Sequence, residues 1–139
     1  ERRMQFKGKY NGADIYDDYA HHPDELAATL DAVKTMDYNR VVIAFQPHTY
    51  TRTKALFNDF VRELKKADVV ILPEIYAARE RNTTGISSAD LAREIPGAMY
   101  CETLPQVTKL LSQIAKPGDI VLTVGAGDIF RAGEALLCD

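Results

Sequence analysis

Three short apolar runs, at residues 41–45, 69–72 and 120–124, constrain this chain more than any other feature. Each has the length of a strand, and none alternates apolar with polar residues. That is the pattern of strands buried on both faces. Between them lie segments with apolar residues at helical spacing. They carry Leu26, Leu30 and Val33; then Leu56, Phe57, Phe60, Val61 and Leu64; then Leu91, Ala92 and Ile95; then Val107, Leu110, Leu111 and Ile114. Buried strands alternating with amphipathic helices predict an α/β domain with a Rossmann-like open sheet. The sheet is mostly parallel, with helices on both faces.

Local signals fix the joints. Asn11-Gly12 tolerates positive φ at both positions, so residues 5–10 and 13–17 read as a hairpin. That hairpin is expected to add one antiparallel edge strand. Pro23 suits the first turn of a helix, where a missing N–H costs nothing. Ser87 with Asp90, and Thr103 with Gln106, have the spacing of capping boxes. A single helix is expected after residue 51. Ala98 to Cys101 reads as a weak strand, Pro117-Gly118-Asp119 as a turn, and Asp128 as the cap of a last helix running to about Leu137.

The 139 residues fit one domain. At 46% hydrophobic and 27% charged they are too apolar for a disordered tail. No run approaches the roughly 18 apolar residues of a membrane span. The chain opens on Glu1-Arg2-Arg3 with no initiator Met and no signal peptide, so a fragment of a longer or processed protein is expected. A formal net charge of −3 gives no support to phosphate-backbone binding. Cys101 and Cys138 form no CxxC pair, so free thiols in a reducing cytoplasm are expected.

Ligands of open α/β sheets bind beyond the carboxyl ends of the strands. Four loops fall there: Asp17-Asp18-Tyr19-Ala20-His21-His22-Pro23; residues 46–53, Gln-Pro-His-Thr-Tyr-Thr-Arg-Thr; Ile75-Tyr76-Ala77-Ala78-Arg79-Glu80; and Gly125-Ala126-Gly127-Asp128. The chain's three histidines all lie in the first two. Asp18 reads either as an acceptor for ribose hydroxyls or as an acid at the start of a helix. His21 and His22 read as donors to anionic oxygens or as turn caps. His48 and Arg52, four residues apart, can face one anion, and Arg52 suits a bidentate carboxylate or phosphate. Arg79 is either a second such cation or a surface residue. Tyr19 and Tyr50 read as wall residues.

Other chemistries fit less well. Phe130 stands where a dinucleotide fingerprint needs its third glycine, and no Gly-Lys-Ser or Gly-Lys-Thr occurs. The histidine spacing matches no zinc helix, so no metal site is expected. No GxSxG elbow is present. The residues by themselves give a crevice suited to a ligand with carboxylate or phosphate groups.

Together, in order, these four segments resemble the C-terminal domain of the Mur ligases over nearly the whole chain. The DDYAHHP segment is shared with the murein-tripeptide recycling branch, whereas residues 45–53 favour the alanine-adding branch. The resemblance implies one of three domains. The N-terminal and central domains would lie outside this chain and hold most of the UDP-sugar, the P-loop and Mg2+. It implies an enzyme acting on ATP, L-alanine and UDP-N-acetylmuramate in peptidoglycan synthesis. Arg3 and Asp18 would then meet the nucleotide. His21, His48 and Arg52 would be catalytic. Tyr19, His22, Tyr50, Arg79, Gly125 and Gly127 would line the substrate, the glycines admitting it close to the backbone. Thr49 stands where many relatives carry Arg, and Met4 replaces an aromatic. A stand-alone domain binding a nucleotide or carboxylate is the reading from a different class.

Overall fold

The structure is a computed structural model that describes residues 3–138. Arg2 of the expected linker lies outside them. The chain runs β1 (Gln5–Tyr10), β2 (Ala13–Asp18), α1 (Pro23–Lys34), β3 (Arg40–Phe45), α2 (Tyr50–Ala55), α3 (Phe57–Leu64), β4 (Val69–Pro73), α4 (Ser88–Glu94), β5 (Met99–Cys101), α5 (Leu104–Ile114), β6 (Asp119–Val124) and α6 (Phe130–Leu137). The strands form one sheet in the order β1-β2-β6-β3-β4-β5. Only β1 runs antiparallel to its neighbour. The hairpin turns where expected, with Asn11 at φ 51° and Gly12 at φ 81°.

Strand pleating sorts the core into two layers. Ile43 and Phe45 of β3 join Ile120, Leu122 and Val124 of β6 beneath α1, α3 and α4. The alternate residues Val42, Ala44 and Val121 pack beneath α5 and α6. All of these residues are fully buried, which explains why their runs show no alternation. Both capping boxes form. Among the described residues no helix is long and apolar enough to cross a membrane. Cys101 is buried and Cys138 exposed, and both are free.

Two expectations need correction. The single helix after residue 51 is two helices, α2 and α3, separated at Leu56 (φ −112°, ψ 24°). No Gly or Pro marks this break in the sequence. Asp128 does not cap α6 with its side chain. The cap position belongs to Ile129, whose N–H is met by Gln46 Oε1 at 3.2 Å. Asp128 instead accepts from Gln46 Nε2 at 2.8 Å. One carboxamide from the end of β3 thus serves both groups. It also stands at the crevice between β3 and β6, where the chain passes from one helical layer to the other.

The opposite edge of the sheet is built for stability. Arg40 and Asp119 are register partners on β3 and β6. The guanidinium grips the carboxylate through Nε at 2.9 Å and Nη2 at 2.7 Å, and Nη2 also donates to the Ile114 carbonyl at 2.7 Å.

Candidate functional site

The site lies where β2, β3, β4 and β6 end. Glu25 organises the first loop: its Oε1 accepts from the N–H groups of His21 (2.9 Å) and His22 (3.1 Å) at the start of α1. The His21 ring leaves that turn toward the second loop and meets His48 with ring centroids 5.8 Å apart. Tyr19, 45% exposed, lies edge-on to His21 at 5.6 Å. His22 is exposed and borders a shallow groove with Leu56, Asp59 and Arg62, on the side of His21 facing α3.

Asp18 is fully buried. Its Oδ1 accepts from Ala20 N–H at 2.9 Å and meets Arg3 Nε at 3.0 Å, and its Oδ2 accepts from Thr29 Oγ1 at 2.8 Å. Arg3 is about half exposed, with 44% of its side chain open to solvent. Arg3 and Asp18, expected to share a ligand, are therefore paired with each other. A ribose hydroxyl reaching this carboxylate has to compete with Arg3.

The second loop is held by the third. Tyr76 N–H donates to the Pro47 carbonyl at 2.9 Å, and Thr49 N–H donates to the Tyr76 carbonyl at 2.8 Å. His48 and Tyr76 form an isolated parallel bridge, and their rings stack at 5.4 Å and 21°. Thr49 has φ 68° and ψ 147°, a rare conformation for a β-branched residue. It caps α2 through Oγ1, which accepts from Arg52 N–H. Its carbonyl accepts from Thr53 Oγ1 at 2.7 Å. Backbone strain of this kind costs roughly 1–3 kcal/mol and persists only where the surroundings over-determine it. Here it sits between His48 and Arg52.

Burial, the nearby His21 and the Arg52 guanidinium together hold the His48 pKa below the ordinary 6.5, with Glu80 opposing them. Its ring is therefore mainly neutral at pH 7, and among the described residues its buried Nδ1 has no hydrogen-bond partner. A neutral imidazole can accept a proton or donate a hydrogen bond, depending on its tautomer.

The fourth loop contributes differently from the expectation. A Cβ on Gly127 would fall 2.5 Å from Tyr76 Cγ and 2.7 Å from Gln46 Oε1. On Gly125, at φ +151°, it would fall 2.9 Å from the Gln46 carbonyl. The space that these glycines leave is taken by protein, so packing accounts for both without any substrate. Tyr50 meets this joint through its backbone, donating N–H to Glu80 at 2.7 Å. Arg79 is exposed and makes no hydrogen bond or ion pair among the described residues. Its neighbour Glu80 is the one that reaches the site.

The structure therefore brings together Tyr19, His21, His48 and the start of the helix bearing Arg52. Arg3 and Asp18 form a separate pair at the end of β2. Sequence reasoning missed Gln46, Tyr76 and Glu80. Each acts on a loop from another strand, and the only signal that marked them was their place in strand-end loops, Gln46 in the second and Tyr76 and Glu80 in the third. Among the described residues no group of three or more His, Cys, Asp or Glu is placed to hold a metal ion. A concavity of about 660 Å3 lies between α5 and α6, and no histidine lines it. A polar crevice of about 250 Å3 bordered by Gln46, Tyr76 and Asp128 adjoins the site.

Residues 2–127 match the family model described as Mur ligase, glutamate ligase domain. The chain is 50% identical over 141 residues to a UDP-N-acetylmuramate--L-alanine ligase from Agathobacter rectalis, covering 99% of this chain and 31% of the relative. It is 49% identical to the enzyme of the same name from Lachnospira eligens, covering 98% of this chain and 30% of the relative. It thus spans just under a third of these relatives. Among solved structures it resembles the UDP-N-acetylmuramate-alanine ligase of Thermotoga maritima, with a TM-score of 0.75 and 27% identity over 98% of this chain and 29% of that one. A murein peptide ligase from Psychrobacter arcticus shares the fold, with a TM-score of 0.73 and 21% identity over 99% of this chain and 29% of that one.

Proposed function

The chain belongs to the Mur ligase family, and from that premise we propose that it is the C-terminal domain of a three-domain, cytoplasmic, ATP-dependent ligase joining L-alanine to UDP-N-acetylmuramate in peptidoglycan synthesis. In this reaction ATP transfers its terminal phosphoryl group to the lactyl carboxylate. The alanine amine attacks the resulting acyl phosphate, and a tetrahedral intermediate expels phosphate to leave an amide. In this reading the phosphates of ATP, Mg2+ and the UDP-sugar are held chiefly by the N-terminal and central domains.

This chain's part is to hold the amino acid and one edge of the nucleotide. Arg52 binds the alanine carboxylate, and a fixed cation there aims the amine at its target. His48, neutral at working pH, takes a proton from the incoming ammonium, or donates a hydrogen bond to developing negative charge together with His21. Tyr19 walls the amino-acid side, with the backbone of Tyr50 and the loop of Gly125 and Gly127 behind it. His22 and Arg79 lie further out, toward the larger substrate. Arg3 meets the nucleotide, and Asp18 either fixes Arg3 or exchanges it for the ribose.

The convergence of His21 and His48 beside the helix of Arg52 is the observation that carries this reading. The identity of 44–50% to alanine ligases across several organisms favours alanine over a recycled tripeptide. In the full-length enzyme, Arg52→Ala is expected to raise the alanine KM roughly tenfold to a hundredfold, the worth of a charged hydrogen-bonded contact, and to spare the KM for the UDP-sugar. An unchanged alanine KM would remove Arg52 from its role. Amide formation with the tripeptide but not with alanine would move the chain to the recycling branch.

A further inference from the structure

Glu80 carries no role in the function just proposed, yet it makes the densest set of contacts at the joint between the second and third loops. Its Oε1 accepts from the N–H groups of Tyr50 (2.7 Å) and Thr51 (3.1 Å), and its Oε2 accepts from Thr51 Oγ1 at 2.5 Å. These are groups of the first turn of α2, whose backbone N–H donors have no partner within the helix. Glu80 comes from the loop after β4, thirty positions along the chain from Tyr50. Its own turn is closed by Glu80 N–H donating to the Ala77 carbonyl at 3.0 Å. Ala78 within that turn has φ 56°, and Thr49 on the other side of the joint has φ 68°. Two non-glycine residues thus take left-handed backbone on either side of one carboxylate. The bridge between His48 and Tyr76 fixes the remaining edge.

We propose that Glu80 is the positioning residue of the amino-acid side: it clamps the first turn of α2 and thereby sets where Arg52 points. The inference rests on the reading of Arg52 given above. The clamp is needed because α2 has only six residues and is cut from α3 at Leu56, so neither its length nor a continuous helix holds it in place. The geometry also predicts what the charge of Glu80 does. The Glu80 pKa is held below its usual value, first by the Thr51 hydroxyl and further by the backbone N–H groups and Arg52. The carboxylate is therefore ionised at working pH, and its charge competes mildly with a substrate carboxylate for Arg52. The useful property of Glu80 is its acceptor geometry.

The test uses the full-length ligase and reads the alanine, ATP and UDP-sugar KM values and kcat separately. Glu80→Ala is expected to raise the alanine KM about tenfold while leaving the other two near wild type. Glu80→Gln keeps an acceptor at the same reach and is expected to stay within about fivefold of wild type. Glu80→Asp keeps the charge but withdraws it by one methylene, and is expected to resemble Glu80→Ala. This pair serves even where the alanine variant fails to fold. An alanine KM unchanged in Glu80→Ala and Glu80→Asp, beside a raised one in Arg52→Ala, would overturn the clamp and leave the functional reading standing. No effect in Arg52→Ala as well would overturn both. A uniform loss of kcat with all KM values unchanged would make Glu80 merely structural and also overturn the clamp.

Discussion

Gly127→Ala separates packing from substrate approach as the reason for that glycine. Gly127 does not have the left-handed φ found at Gly125, so alanine meets no backbone penalty there. Its methyl group would lie 2.5 Å from Tyr76 Cγ, a ring atom near the backbone rather than the end of a flexible side chain. It would also lie 2.7 Å from Gln46 Oε1, which is committed to the Ile129 N–H. Overpacking of this kind costs about 1–3 kcal/mol. Replacing glycine recovers about 0.4–1 kcal/mol through the unfolded chain. The net expectation is a loss of about 1–2 kcal/mol, or roughly 3–8 °C in Tm for a domain of this size. Thermal denaturation of the 139-residue chain, with no substrate present, measures it. In a Tyr76→Ala background the ring clash is gone, so the cost of Gly127→Ala is expected to fall by at least about half, a coupling readable in a double-mutant cycle. A chain as stable as wild type, together with a full-length enzyme impaired in its substrate KM, would refute the packing argument.

Two further outcomes check other parts of the structure. Asp119→Ala leaves the Arg40 guanidinium without its fork. The cost is expected at about 2–3 kcal/mol in urea denaturation, below the roughly 3–5 kcal/mol of a fully buried pair because a quarter of the Arg40 side chain reaches water. A loss under about 0.5 kcal/mol would mark the pair as solvent-screened. For His48, NMR titration is expected to give a pKa below 6.5, and Arg52→Ala to raise it by removing a repelling cation. Because the unfolded chain binds this proton more readily, the contribution of His48 to stability is full above pH 6.5. It is lost as pH falls toward the folded-state pKa. A His48 pKa that stays fixed or falls in Arg52→Ala would contradict the placement of Arg52 beside it.

The sheet was legible because its signals are local. Three runs that are apolar except for Thr123 specify strands covered on both faces, Asn11-Gly12 specifies a turn with two positive φ angles, and two capping boxes specify helix starts. The loops that gather at one sheet edge follow from parallel topology alone, so the neighbourhood of His21 and His48 was also legible. What lay beyond sequence is each relation that depends on a partner far along the chain. Gly127 is small because of the Tyr76 ring, α6 is capped by Gln46 rather than Asp128, and α2 is clamped by Glu80. A residue's type states which bonds it can make. Only packing the loops from different strands against one another decides which of those bonds are made, because each such contact depends on side chains that the chain order does not bring together.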